Sequence, residues 1–309
     1  ERYATAATGR GRIGLAMKIR IGVGAGGASA SAEALGELVG SLDGLGFDSL
    51  WLSEVLTGPV LDPMVGLAWA AASNPRLKIG TTALLPGRNV LRLAKQLASL
   101  DRLSGGRLLV TLVPGLTYPP EREAIGVEPR QRGAVIDDAL PLLRRLWAGE
   151  TVSHDGPAGH FHDVRLSPLP VQRPLEVWLG GNVPAALERC GRLSDGWLPS
   201  LCTPDEAAAG RTVIEEAAAR AGRAISPEHF GMSVGYASAP IDPDTARTMA
   251  ARRPRSLELT PVGYPALRKT LEQFIAVGFS KFVVRPVAAP RSWRAELEAL
   301  AAAVGDLQT

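Results

Sequence analysis

Lys78–Val113, KIGTTALLPGRNVLRLAKQLASLDRLSGGRLLVTLV, is the stretch on which the fold of this chain turns. Its two ends, Lys78–Leu84 and Leu108–Val113, are short β-branched and leucine-rich runs that read as strands. Between them, Val90–Leu103 mixes Ala and Leu with charged residues at helical spacing. Strand, helix and strand in that order make a βαβ unit, which belongs to a parallel sheet.

The same alternation continues outward in both directions. The predicted strands are Ile19–Val23, Ser49–Ser53, Lys78–Leu84, Leu108–Val113, Leu175–Leu179, Gly196–Pro199, Phe230–Tyr236 and Lys281–Val287. The predicted helices are Ser31–Leu45, Pro63–Ala72, Val90–Leu103, Arg132–Leu146, Ala185–Leu193, Pro204–Ala221, Tyr264–Ala276 and Ser292–Ala302. Eight strand–helix repeats close naturally into an α/β fold of the (β/α)8 TIM-barrel type. One interruption, Gly149–Pro174, lies between the fourth helix and the fifth strand; its alternating segments on either side of Gly156-Pro157 predict a small hairpin insertion. A second, Ala239–Pro261, holds four prolines and is expected to be an irregular loop. Residues 1–16 are rich in Arg, Gly and Ala, and are set aside as a leader outside the core. A single barrel domain is expected over residues 17–309.

Composition narrows the function classes. Hydrophobic residues make up 46% and charged residues 21%, enough apolar surface for a large globular core. The formal charge is only +3, and no dense Lys/Arg run with interleaved aromatics points to nucleic acid. No apolar stretch reaches the roughly 18 residues of a membrane span. Cys190 and Cys202 are the only cysteines, so there is no disulfide framework, and a reducing cytoplasm fits.

Two glycine motifs invite ligand readings. Gly22-Val23-Gly24-Ala25-Gly26-Gly27 matches G-x-G-x-x-G after a strand, with an acid, Glu54, at the end of the next strand. It reads either as a dinucleotide-binding turn or as a glycine-rich first loop at a barrel mouth; the acid lies farther on than the usual ~20 residues. Leu179-Gly180-Gly181-Asn182 ends a strand and opens a helix. Its glycines allow close backbone approach, the free amides at the helix start can bind phosphate oxygens, and Asn182 is positioned to cap the helix.

Other residues carry competing readings. His154, His160 and His162 lie in the insertion without a carboxylate or Cys set, so a hairpin is favoured over a metal site and no metal is expected. His229, Asp101 and Arg107 fall on the opposite face and read as fold residues. Arg285, near the end of the last strand, points to the mouth, where it binds a substrate or cofactor anion or else forms a structural ion pair. No G-x-S-x-G elbow supports serine hydrolysis.

Lys78-Ile79-Gly80-Thr81-Thr82, Leu93-Ala94-Lys95-Gln96, Leu100-Asp101-Arg102-Leu103-Ser104-Gly105-Gly106-Arg107, Arg144-Arg145-Leu146-Trp147-Ala148-Gly149-Glu150, and Gly180-Gly181-Asn182 with Asp195-Gly196-Trp197-Leu198-Pro199 together resemble the luciferase-like monooxygenase family, in matching order and spacing from Met17 onward. The pattern is most similar to the branch that uses the deazaflavin coenzyme F-420 (F420); other branches use FMN. The resemblance implies a cofactor at the C-terminal ends of the strands, lying against a backbone bulge that is often a cis peptide and maps onto Thr82-Ala83. It also implies a cofactor phosphate near Pro114-Gly115-Leu116-Thr117 and Gly180-Gly181-Asn182. Two positions depart from the family. Val55 stands where relatives place a His after the acid, and Leu116 where some dehydrogenases place a proton-donating Glu. Glu54 is left as the acid or base at the mouth, with a buried carboxylate bonded to loop amides as the equal alternative.

The expected activity is thus F420-dependent hydride transfer to or from a small organic substrate. The alternatives are an FMN-dependent monooxygenase and a cofactor-binding or carrier protein with little catalysis. Relatives often dimerise, so a homodimer is expected.

Overall fold

The computed structural model describes residues 17–26, 31–116 and 118–309; the proposed leader, Gly27 and Thr117 lie outside them. The elements are β1 (Arg20–Gly24), α1 (Ala32–Leu42), β2 (Ser49–Ser53), α2 (Pro63–Ser73), β3 (Lys78–Leu84), α3 (Val90–Leu103), β4 (Leu108–Val113), α4 (Pro119–Ile125), α5 (Pro129–Trp147), β5 (Thr151–Gly156), β6 (Gly159–Arg165), β7 (Val177–Leu179), α6 (Pro184–Leu193), β8 (Gly196–Trp197), α7 (Pro204–Arg220), β9 (Gly231–Tyr236), α8 (Pro243–Arg252), α9 (Tyr264–Ala276), β10 (Lys281–Pro286) and α10 (Trp293–Val304).

Eight of these strands pair in parallel in the order β8-β7-β4-β3-β2-β1-β10-β9. Bridges between Trp197 and Phe230 and between Ser200 and Ser233 join β8 to β9 and close the ring. With helices between the strands, this is the (β/α)8 barrel that the repeats predict. There is no Rossmann sheet for the glycine motif to serve, because β1 sits between β2 and β10 in a closed ring and not at the switch point of an open sheet.

The glycines of β1 make room instead. A Cβ on Gly22 would collide with Ser49 Oγ and lie 3.0 Å from the Trp51 ring, and one on Gly24 would lie 2.9 Å from Arg285 Cβ. Strand residues alternate between the helix layer and the barrel interior. Trp51, Leu198 and Val283 pack in the interior with Leu109 and Trp178, so the barrel is plugged by side chains. The large outer core, between strands and helices, takes the opposite set, for example Ile79, Ala83, Leu93, Ala94 and Leu97.

The insertion folds as predicted. β5 and β6 form an antiparallel two-stranded sheet between α5 and β7. Asp101, fully buried, receives N–H donors from Val171 (2.6 Å) and Gln172 (2.9 Å), anchoring the return of this insertion beneath the barrel. Arg107 donates to carbonyls of Asn74 (2.9 Å) and Ala71 (3.1 Å) and to that of Leu77, tying the end of α2 to the turn before β4. Both are fold residues, as their positions imply.

Two helices fall where a loop or nothing regular is expected. α4 begins Pro119-Pro120, and α8 lies inside the proline-bearing Ala239–Pro261 segment. Proline is tolerated in the first helical turn because the N–H it lacks has no intrahelical acceptor there. Asp242 then caps α8 by accepting from Asp244 N and Thr245 N at 3.0 and 2.9 Å. The prolines mark helix starts. No helix among the described residues is long and apolar enough to cross a membrane.

Candidate active site

The C-terminal ends of the strands gather most of the predicted site. β3, β4 and β7 are neighbours, with Thr82 paired to Thr111 and Leu112 to Leu179. Thr82, the Pro114-Gly115-Leu116 loop and Gly180-Gly181 therefore lie side by side on one sector of the mouth. Gly115 and Gly181 both have backbones in the left-handed region, at φ +84° and +97°. A Cβ on Gly115 would strike the Ile125 side chain, and one on Gly180 would lie 2.7 Å from Val113 Cγ1. Only glycine fits this cradle. Among the described residues, the N–H groups of Gly181, Asn182, Val183 and Ala185 donate no hydrogen bond within the protein, which leaves them free for an anionic ligand group.

The cap of α6 differs from expectation. Val183 is the N-cap, without a side-chain bond, and Pro184 takes the first helical position, so exposed Asn182 stands one residue outside the helix start and does not cap it. The Asp195-Gly196-Trp197 motif buttresses the cradle from behind. Trp197 is buried and its indole N–H donates to Gly181 O at 2.8 Å. Gly196 makes way for the Trp178 ring. Asp195 accepts from Arg144 and from Val177 N, each at 2.9 Å, and holds the start of β7.

The peptide between Thr82 and Ala83 is not cis, contrary to the implied bulge; the cis bonds among the described residues are Ser167–Pro168 and Arg173–Pro174. The physical reason lies in the ladder: Thr82 O accepts from Glu54 N at 2.8 Å, and Thr82 and Ala83 both keep regular register with β4. Ala83 faces the helix layer and is fully buried, whereas half-buried Thr82 opens to the mouth.

Glu54 is engaged as a brace. One carboxylate oxygen accepts from Leu84 N at 2.8 Å and the other from Arg88 Nη2 at 2.6 Å, with only 7% of the side chain exposed. This is the loop-amide alternative read from the sequence, with an arginine added. Arg132, buried on α5, donates to the carbonyls of Pro114 (3.2 Å) and Leu116 (2.8 Å) and thereby shapes the Gly115 loop, while its Nη2 has no partner. Burial lowers its pKa.

The histidines do not assemble a metal site: among the described residues no group of His, Cys, Asp and Glu is arranged to hold one. His154 bonds Asp138 at 2.9 Å and His160 pairs with Asp155. His229 bonds Asp195 O at 2.8 Å and lies against the Trp178 ring, on the face opposite the mouth.

Two groups escaped sequence reading. Glu121, nearly fully buried, accepts from Thr57 Oγ1 (2.6 Å), Thr57 N (3.2 Å) and Arg252 (2.9 Å), joining the loops after β2, β4 and β9. Arg253 donates to Ser200 Oγ at 3.0 Å. The run Arg252-Arg253-Pro254-Arg255 signals positive charge at this loop, but nothing in it says which guanidinium finds a carboxylate.

Comparison with known proteins agrees with this architecture. The model of the luciferase-like monooxygenase family matches residues 12–278. The chain belongs to that family. Among its curated relatives, an F420-dependent glucose-6-phosphate dehydrogenase of Kineococcus radiotolerans is 30% identical over 169 residues, 51% of this chain and 48% of that protein. An FMNH(2)-dependent dimethylsulfone monooxygenase of Pseudomonas putida is 35% identical over 129 residues, 40% of this chain and 35% of that one. The chain thus spans about half or less of the length of these luciferase-like relatives. The fold matches the solved structure of an F420-dependent secondary alcohol dehydrogenase in complex with an F420-acetone adduct, with a TM-score of 0.78 and 18% identity, covering 95% of this chain and all of that one.

Proposed function

We propose that this luciferase-like protein is an oxidoreductase that binds F420 and transfers hydride to or from a small organic substrate. The observation that carries the reading is the placement of Gly115 and Gly180-Gly181 in the loops that follow the adjacent strands β4 and β7, with undonated N–H groups at the start of α6. A flavin-type cofactor fits this cradle: its phosphate needs close backbone approach, and a side chain at any of these glycines would block or strain it. When bound, the cofactor supplies the hydride chemistry.

The chain's own contribution is placement and exclusion of water. Arg132 sets the Gly115 loop, Trp197 sets the Gly180-Gly181 turn, and Trp51 with Trp178 seals the barrel beneath the mouth. Glu54, engaged on both oxygens, positions the end of β3. The names of the dehydrogenase relatives favour F420; the monooxygenase relative supports FMN as a second reading.

Titration of the purified protein with F420 and with FMN, followed by cofactor fluorescence and ultrafiltration, tests this. F420 is expected to bind and to be oxidised or reduced on a substrate panel. Preferential FMN binding with substrate-dependent oxygen consumption establishes the monooxygenase. Binding without turnover on any substrate establishes a carrier, and failure to bind either cofactor ends the reading.

A further inference from the structure

Arg253 and Arg285 differ from the arginines around them. Arg247 pairs with Asp244, Arg252 with Glu121, and Arg255 with Glu206. Neither Arg253 nor Arg285 has an ion-pair partner among the described residues, and Arg253's side-chain bond is to the neutral Ser200 hydroxyl.

Their placement is built by the barrel. Arg285 has the same strand parity as Val283 of the interior cluster, and stands one layer nearer the C-terminal mouth. Glycines lie beside it on both neighbouring strands: Gly235 of β9 is its register partner, and a Cβ on Gly24 of β1 would lie 2.9 Å from Arg285 Cβ. A Cβ at Gly235 would lie 3.5 Å from Arg285 Nη2, so the guanidinium extends over β9. Ser200 pairs with Ser233 of the same strand, and Arg253 reaches it from the segment after α8. Both arginines are half-buried. Burial lowers the pKa of each; that of Arg253 is pushed down to about 10, with the neighbouring positive charge of Arg285 as the next cause.

Two like charges drawn together away from bulk water are costly, and a guanidinium does not escape the cost by losing its proton near neutrality. The carboxylates of the neighbouring segments, Glu121 and Glu206, are already engaged. What remains to balance the pair is an anion from outside the chain, and two guanidinium forks with a hydroxyl match the oxygens of a carboxylate or phosphate. In the ring of strands β10 stands opposite β4, so this sector lies across the mouth from the Gly115 cradle.

We propose that Arg253, Arg285 and Ser200 form an anion subsite of the substrate pocket, and that the substrate of this protein carries a carboxylate or phosphate group. Assigning the anion to the substrate rests on the cofactor reading above; the existence of the subsite does not.

Calorimetric titration with inorganic phosphate at low ionic strength, on the apoprotein and on the F420-saturated protein, tests both parts. The expected result is a single phosphate site that Arg253→Gln and Arg285→Gln each weaken by about tenfold or more. Arg253→Lys retains part of the affinity, Arg255→Gln behaves as wild type, and F420 leaves the phosphate affinity unchanged. Thermal melts accompany each variant, and Arg253→Lys, which keeps the charge, serves if a glutamine variant fails to fold. Absence of phosphate binding, or equal binding by all variants, overturns the subsite. Competition between F420 and phosphate, with F420 affinity lost in both glutamine variants, assigns the arginines to the cofactor phosphate and overturns the substrate claim. Phosphate binding lost in the variants, in a protein that binds neither F420 nor FMN, upholds the subsite and removes the cofactor reading alone.

Discussion

Glu121 of α4 and Arg252 of α8, 131 positions apart in the chain, form a 2.9 Å ion pair whose carboxylate also receives the N–H and hydroxyl of Thr57. Arg252 further lies over the Tyr118 ring at 5.7 Å. Three loops of the mouth are therefore joined through one nearly fully buried carboxylate.

This pair is expected to be a stability element with a defined pH dependence. Burial alone would raise the Glu121 pKa; the Thr57 bonds and Arg252 outweigh it and hold the carboxyl below its ordinary range. A carboxyl depressed on folding stabilises fully above its unfolded-state pKa, roughly 4.3, and the contribution is lost as pH falls through the lower folded-state value. Glu121→Ala leaves Arg252 without its partner and is expected to cost about 3 kcal/mol near pH 7. Denaturant unfolding of both proteins should show that difference shrinking in acid; a gap independent of pH refutes it.

Glu54 and Arg88 are expected to behave as a brace in mutational tests. Glu54→Gln should lower stability by about 1–3 kcal/mol and leave kcat within several-fold, whereas loss of a general acid or base lowers rate by about 10²–10⁴. Arg88→Gln should reproduce the loss, and the double variant should cost less than the two single losses added. A selective collapse of kcat in Glu54→Gln with stability unchanged would restore it as a catalytic group.

The glycine cradle gives a binding prediction. Gly181→Ala forces an L-residue to φ +97°, and Gly115→Ala adds strain at φ +84° to a clash with Ile125. Both should weaken cofactor binding by about tenfold or more, since strain of ~1–2 kcal/mol falls on a loop of the proposed cradle. Gly44→Ala, also at positive φ but with open space around its Cβ and far from the mouth, should lower stability without changing cofactor affinity. Fluorescence titration of the three variants makes the comparison.

Cys190 and Cys202 are buried, and burial raises each thiol pKa to about 12. The thiolate is the reactive form. Neither cysteine should react with Ellman's reagent at pH 8 in the native protein, and both should react in denaturant. Rapid native labelling would contradict the burial.

The βαβ alternation of Lys78–Val113 carried the barrel, because the residues that pack strand and helix faces repeat with local periods of two and 3.6. The ranges Ser49–Ser53, Lys78–Leu84, Val90–Leu103, Leu108–Val113 and Tyr264–Ala276 are found as read. Gly180-Gly181 was legible for the same reason, since a backbone need shows as a missing side chain, whereas Gly115 came only from the family resemblance. What the sequence left open was partnership. Glu54 reads equally as a proton carrier or a brace until Arg88 and Leu84 N stand against it. Arg252 and Arg253 are adjacent and identical in the sequence, yet Arg252 meets Glu121 while Arg253 bonds the Ser200 hydroxyl. Conformation is a local preference of the chain, written residue by residue. Electrostatic partnership depends on distance between segments far apart in sequence, and only the closed barrel sets those distances.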